Sequence, residues 1–144
     1  HRAELVRVLD GVSYYNDSIG TSPTRTANGT LQLYDRKIIL IAGGYDKHIP
    51  YDTLGPIIMD KVKTLILMGA TADKIEAAVK AAPNYCEQEI VILHAESMEK
   101  AVALAKEQAQ KGDIVSLSPA SASFDLYPNF EARGNHFKNI VNEL

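Results

Sequence analysis

Lys37-Ile38-Ile39-Leu40-Ile41-Ala42-Gly43-Gly44 is the stretch on which the fold turns. A run of apolar residues closed by two glycines has no polar face, so it reads as a strand covered on both sides, as in a parallel sheet between helices. Residues 64–68, 90–93 and 114–117 repeat the pattern, giving four such strands. Between them lie segments with helical spacing and start signals. Ser22-Pro23 pairs an N-cap with a proline at the first helical position, and Thr26, Thr30 and Leu33 continue the helix. Thr71 precedes Ile75, Ala78, Val79 and Ala82, and Pro83 ends that segment. Ser97 caps a helix whose apolar face is Met98, Ala101, Val102, Ala105 and Ala109, closed by Lys111-Gly112. Asn129 opens a last helix with Phe130, Phe137, Ile140 and Val141 inward. Upstream, residues 4–16 alternate apolar and polar around Asp10-Gly11, a two-residue hairpin turn. The expected architecture is α/β: a Rossmann-like, doubly wound, mostly parallel sheet with helices on both faces and an N-terminal β-hairpin adding an edge strand. It forms one domain over residues 1–144.

Composition narrows the class. The 144 residues are 46% hydrophobic and 23% charged, which excludes a disordered chain. A net charge of −3 with interspersed signs argues against a nucleic-acid partner. No apolar run approaches the ~18 residues a bilayer crossing needs, so no membrane partner is expected. The single Cys86 forms no intrachain bridge and fits a reducing cytoplasm. Because the chain opens on His1 with no leader pattern, it reads as a piece of a longer protein.

Chemistry in an open α/β sheet collects at the carboxyl ends of the strands. Four loops there share small residues, hydroxyls and glycines leading into helix N-termini, which favour anions. They are residues 16–23, 43–48, 69–71 and 118–125. Caps and turns explain any one of them; four along one edge exceed what capping requires. Lys47 adds a positive charge to this rim. Neither a dinucleotide fingerprint nor a P-loop is present, so ATP chemistry needs another domain. Cys86 has no His/Asp pattern near it, and His94 reads as a satisfied imidazole at a strand end. No metal site is expected. His1-Arg2 has no packing rationale of its own.

His1-Arg2, Asn16-Asp17-Ser18, Thr21, Ala42-Gly43-Gly44-x-x-Lys47, Ser118-Pro119-Ala120-x-Ala122-Ser123-x-Asp125 and Asn129-Phe130-Glu131-x-Arg133-Gly134 together resemble the C-terminal domain of the Mur ligases. The resemblance runs over the whole chain, and the last motif is the most specific. An Asp-Asn-Pro-Arg signature of the diamino-acid branch is absent, and the motifs are most similar to the branch that adds D-glutamate.

That resemblance implies a three-domain, cytoplasmic, monomeric enzyme of peptidoglycan synthesis whose other two domains bind UDP and ATP. Its partners are D-glutamate, UDP-N-acetylmuramoyl-L-alanine and ATP with Mg2+, the last two held mainly by the central domain. ATP phosphorylates the acceptor carboxylate, and the incoming amine attacks the acyl phosphate. The resemblance also implies that Thr21, Lys47, Ser123, Phe124 and Phe130 form the D-glutamate pocket, with Lys47 the catalytic candidate. His1, Arg2 and Asp17 face the nucleotide, Arg2 toward phosphates and Asp17 toward ribose. This piece alone is expected to be inactive. Two positions depart from the pattern: Ile19 where relatives often carry Lys, and Ser121 where Cys is frequent, a change of little consequence in size. Two alternatives stay open, an L-glutamate ligase domain like that of folylpolyglutamate synthase and a non-catalytic carboxylate- or nucleotide-binding module.

Overall fold

A computed structural model describes residues 1–124 and 126–144; Asp125, from the motif that begins at Ser118, lies outside the described residues. The elements are β1 (Glu4–Leu9), β2 (Val12–Asn16), α1 (Pro23–Asn28), β3 (Ile38–Ala42), α2 (Leu54–Lys61), β4 (Val62–Leu67), α3 (Ala72–Lys80), β5 (Val91–His94), α4 (Met98–Gln108), β6 (Ile114–Leu117) and α5 (Phe130–Asn142). The six strands lie in the order β1-β2-β6-β3-β4-β5. Only the β1–β2 pair is antiparallel; β2–β6, β6–β3, β3–β4 and β4–β5 are parallel. The hairpin therefore supplies the edge strand β1. Asp10 and Gly11 make its turn with φ of 53° and 78°, the paired positive values a two-residue turn needs.

All five residues of β3 are buried, as the absence of a polar face requires. Side chains of a strand alternate between faces, so the run feeds two cores. Ile38, Leu40 and Ala42 join Leu65, Leu67, Leu54, Ile58, Ile75 and Val79 on one face. Ile39 and Ile41 join Ile66, Val115, Leu117, Val102, Phe137 and Val141 on the other. Each such Leu or Ile side chain contributes about 1.5–3 kcal/mol on burial. The outer strand β5 differs from expectation: Val91 is 44% exposed, because an edge strand has no neighbour beyond it.

Three helices also differ. The first ends at Asn28, and Gly29 separates it from a short 3-10 turn over Thr30–Gln32, so Leu33 is not helical. Between β3 and β4 lies a helix that the start signals above do not include. There α2 forms with Pro56 in its first turn, where backbone N–H groups have no intrahelical partner to lose. Its buried Leu54, Ile58 and Met59 drive the segment onto the sheet. The third difference is at α4, which ends at Gln108 with Ala109 extended. Lys111-Gly112 thus belongs to the turn into β6, where the Gly112 N–H donates to the Gly11 carbonyl at 2.8 Å. The caps at Ser22, Ser97 and Asn129 each accept a backbone N–H three residues on. Among the described residues no helix is long and apolar enough to cross a membrane.

Candidate functional site

The sheet order creates a crevice between β3 and β6. From β3 the chain leaves toward α2 on one face, and from β6 it leaves toward α5 on the other. Loops that diverge from adjacent parallel strands open a cleft at their carboxyl ends. The Lys47 loop follows β3 and the Ser123 loop follows β6. They stay tied at the base, where Gly43 N–H donates to Pro119 O at 2.8 Å and Tyr45 N–H to Ala122 O at 2.9 Å. Gly43 is obligatory here: its φ is 103°, and a Cβ would stand 2.0 Å from Met68 O.

Thr21, Lys47, Ser123, Phe124 and Phe130 all line one small pocket in this crevice, about 190 Å³ in volume, together with Ala122 and Asn129. Ser123 is buried at its floor, whereas Phe124 is 52% exposed at its mouth. Lys47 is exposed on the opposite rim. A cation, two hydroxyls and two aromatic walls form a cavity suited to a small acid with an apolar stem.

Lys47 is flanked by a second tether. Asp46 Oδ2 lies 2.7 Å from Lys74 Nζ on α3, and Asp46 Oδ1 accepts the His48 N–H at 2.7 Å. Lys74 first, then the His48 N–H, hold the Asp46 carboxyl below its ordinary value of 3.8. A carboxylate with a lowered folded pKa contributes its stabilisation above the unfolded pKa and loses it as pH falls through the folded value. Titration of the Asp46 carboxyl carbon by NMR is therefore expected to give a midpoint below 3.8. A midpoint at or above that value contradicts the tether.

Arg2 and Asp17 line a second and larger cavity of about 580 Å³, with Arg25, Thr30, Ser22 and Leu33 also on its wall. Arg25 Nη2 is buried with no hydrogen-bond partner among the described residues. Asp17 is 3% exposed and already engaged. Its Oδ1 accepts the Ala3 N–H at 3.0 Å, and its Oδ2 accepts Ser118 Oγ at 2.7 Å and the Thr30 hydroxyl. His1 stands apart from that cavity. Its Nδ1 accepts from Asn16 Nδ2 at 2.9 Å, and its ring meets Phe130 edge-on at 5.9 Å. Gly134 makes room for it, since a Cβ there would lie 2.3 Å from His1 Nδ1. His1 thus touches the wall of the small pocket through Phe130.

Arg133 was quoted above as part of a motif without a role, and it proves central. It is 1% exposed, yet its guanidinium meets only neutral oxygens. Nε donates to Ser18 Oγ at 2.9 Å, Nη2 to Ser18 O at 2.7 Å and Nη1 to Ser121 O at 2.9 Å. Ser18 Oγ in turn donates to Phe130 O at 2.7 Å. Burial pulls the guanidinium down to about 10, against a smaller upward effect of Tyr127, so it stays charged at neutral pH. One buried cation thereby binds the loops after β2 and β6 to the start of α5. The available signal was positional: Phe130, Arg133 and Phe137 fall on one helical stripe, which puts a cation on the buried face.

Ser121 is also more than a size match. It belongs to a buried set of hydroxyls with Thr71 and Tyr51. Elsewhere, Asp73, Glu76 and His94 bring potential metal-ligand atoms within 4.8 Å of one another. Glu76 already pairs with Lys80 at 2.9 Å and His94 at 2.7 Å, and none of the three lines either pocket described above.

The fold and the loop chemistry define an α/β domain with a small, anion-favouring cleft at the carboxyl ends of its strands, and comparison with known proteins supplies its family. The Mur ligase, glutamate ligase domain family matches residues 1–121, and the chain belongs to that family. Among curated relatives it is similar to the UDP-N-acetylmuramoylalanine--D-glutamate ligases of Clostridium botulinum (strain Okra) and Clostridium acetobutylicum. Identity to these is 57% and 58% over 146 aligned positions, covering 100% of the chain. The chain spans 31% of the length of those relatives. Among solved structures, a murein peptide ligase from Psychrobacter arcticus has a TM-score of 0.59 at 16% identity, over 99% of this chain and 30% of that one. The folylpolyglutamate synthase of Mycobacterium tuberculosis, complexed with ADP and AMPPCP, has a TM-score of 0.58 at 13% identity, over 96% and 31%. At those identities the two structures establish the shared fold.

Proposed function

We propose that this chain is the amino-acid-binding domain of an ATP-dependent ligase that joins D-glutamate to UDP-N-acetylmuramoyl-L-alanine in cytoplasmic peptidoglycan synthesis. The observation that carries the reading is the single pocket uniting Thr21, Lys47, Ser123, Phe124 and Phe130, in a chain 57% identical throughout to D-glutamate ligases. The fold alone does not select the amino-acid substrate, because a murein peptide ligase and a folylpolyglutamate synthase superpose on the chain about equally well, at 0.59 and 0.58. Sequence similarity over the whole chain favours D-glutamate.

In this reading Lys47 and the hydroxyls of Thr21 and Ser123 bind the carboxylates of the incoming amino acid, and Phe124 and Phe130 enclose its stem. The amine is thereby held toward the acyl phosphate of the acceptor. An N–C bond forms, the C–O bond to phosphate breaks, and the amine sheds a proton as phosphate departs. In the same reading the larger cavity takes part of the nucleotide, with Arg2 and the open donor of Arg25 toward its phosphates. Asp17 has less freedom to reach a ribose than the resemblance implies, because its carboxylate is already bonded within the domain. Neither pocket offers a cluster of carboxylates for Mg2+, and the chain has no P-loop. Both ATP phosphates and Mg2+ are therefore assigned mainly to the other domains of the parent protein, which is expected to act as a monomer.

The test is phosphate release by the full-length parent with ATP, Mg2+ and UDP-N-acetylmuramoyl-L-alanine, comparing D-glutamate, L-glutamate, L-lysine and meso-diaminopimelate. Release dependent on D-glutamate alone supports the reading. Turnover of L-glutamate in its place points to the folylpolyglutamate-type alternative, and no release with any of them points to a binding module.

A further inference from the structure

Gly44, beside the Lys47 loop, begins a chain of buried hydrogen bonds. Its N–H donates to Thr71 Oγ1 at 3.0 Å, Thr71 Oγ1 and Ser121 Oγ lie 2.8 Å apart, and Ser121 Oγ and the Tyr51 hydroxyl 2.9 Å apart. The Tyr51 hydroxyl is 3.0 Å from Ala120 O. Hydroxyl hydrogens can in principle turn either way, but the ends of this chain remove the choice. A backbone N–H only donates and a carbonyl only accepts. Thr71 therefore accepts from Gly44 and donates to Ser121, Ser121 donates to Tyr51, and Tyr51 donates to Ala120 O. Every hydroxyl donates once and accepts once in one direction. The three residues are 0%, 2% and 5% exposed, so water does not compete for these bonds. Thr71 also returns its own N–H to Gly44 O at 3.1 Å, clasping Gly44 from both sides.

The chain spans both loops that form the small pocket. Gly44 precedes Lys47 by three residues, Ser121 precedes Ser123 by two, and Arg133 holds Ser121 O from below. None of Thr71, Ser121 and Tyr51 lines that pocket. We infer that Thr71 is a positioning residue: through this one-directional relay it fixes the Lys47 loop against the Ser123 loop and so sets the affinity for the amino-acid substrate. The substrate part of the inference rests on the D-glutamate reading above; the positioning part does not.

The experiment uses the full-length parent protein with Thr71→Val, Thr71→Ser and Tyr51→Phe. Valine has threonine's shape without its hydroxyl, and it strands a buried N–H, so the KM for D-glutamate is expected to rise about tenfold. The KM for ATP should stay within about twofold, since the relay touches no residue of the larger cavity, and Thr71→Ser should restore the wild-type KM. Hydrogen exchange, read in parallel, should show the Gly44–Lys47 amides opening faster in the valine variant alone. An unchanged D-glutamate KM in folded Thr71→Val, an equal rise for ATP, or a serine variant no better than valine would overturn the assignment. If wild type does not consume D-glutamate, the substrate reading fails, and the exchange arm still decides positioning: unaltered exchange at Gly44–Lys47 rejects it. If Thr71→Val does not fold, Tyr51→Phe cuts the far end of the relay and is held to the same outcomes with a smaller rise.

Discussion

Lys47→Ala in the full-length parent is expected to lower kcat/KM for D-glutamate by about 10- to 150-fold, the loss of a hydrogen bond to a charged group. Lys47 is the cation on the rim of the small pocket, opposite the buried Ser123. If it both binds and orients the substrate, KM rises and kcat falls together, because a misplaced amine meets the acyl phosphate less often. The KM for ATP should hardly move, as Lys47 does not line the cavity of Arg2 and Asp17. Steady-state kinetics with D-glutamate and ATP varied separately check both. Unchanged D-glutamate kinetics contradict the pocket, and a parallel rise in the KM for ATP contradicts the division between the two cavities.

Arg133→Met should cost the domain about 3 kcal/mol, since Ser18 Oγ, Ser18 O and Ser121 O all lose their donor in a buried setting. For a chain of this size that corresponds to a fall in Tm of about 10 °C. The opposing effect is relief of the guanidinium's own desolvation, which already pulls it down to about 10. Bonds should win because all three donors are well placed, at 2.7 to 2.9 Å, and buried from water. Arg133→Lys retains the charge without the planar fork and should fall between the two. Urea unfolding of the 144-residue chain separates the possibilities. A methionine variant as stable as wild type would mean that desolvation cancels the bonds, and that the loops are held by other contacts.

The parts of the fold that were legible in the sequence are those decided locally. An all-apolar Ile38–Ala42 has only one comfortable environment, Asp10-Gly11 has one comfortable turn, and Ser22, Ser97 and Asn129 each announce a helix start. The helix Leu54–Lys61 was hidden because Gly55 and Pro56 stand in its first turn, and only packing of Leu54 and Ile58 on the sheet favours it. Lys111-Gly112 misled for a related reason: a cation followed by glycine serves a strand-entry turn as well as a helix end.

The site divides along the same line. Loop chemistry marked the carboxyl rim, and resemblance selected residues on it, of which Thr21, Lys47, Ser123, Phe124 and Phe130 meet in one pocket and Arg2 and Asp17 in another. His1 meets Phe130 and Asn16, a placement its sequence neighbours did not suggest. Arg133 and Thr71 escaped because their meaning lies in distant partners. Arg133 reaches back 115 residues to Ser18, and Thr71 joins residues 27 before it and 50 after it. Such contacts leave no spacing in the chain to read.

The most direct measurement is a crystal structure of the full-length parent with UDP-N-acetylmuramoyl-L-alanyl-D-glutamate, the product of the proposed reaction, bound. The expected result is a D-glutamyl carboxylate about 3 Å from Lys47 Nζ and from the hydroxyls of Thr21 and Ser123, with its stem between Phe124 and Phe130. A D-glutamyl group seated outside that pocket, with Lys47 facing solvent, would contradict the account.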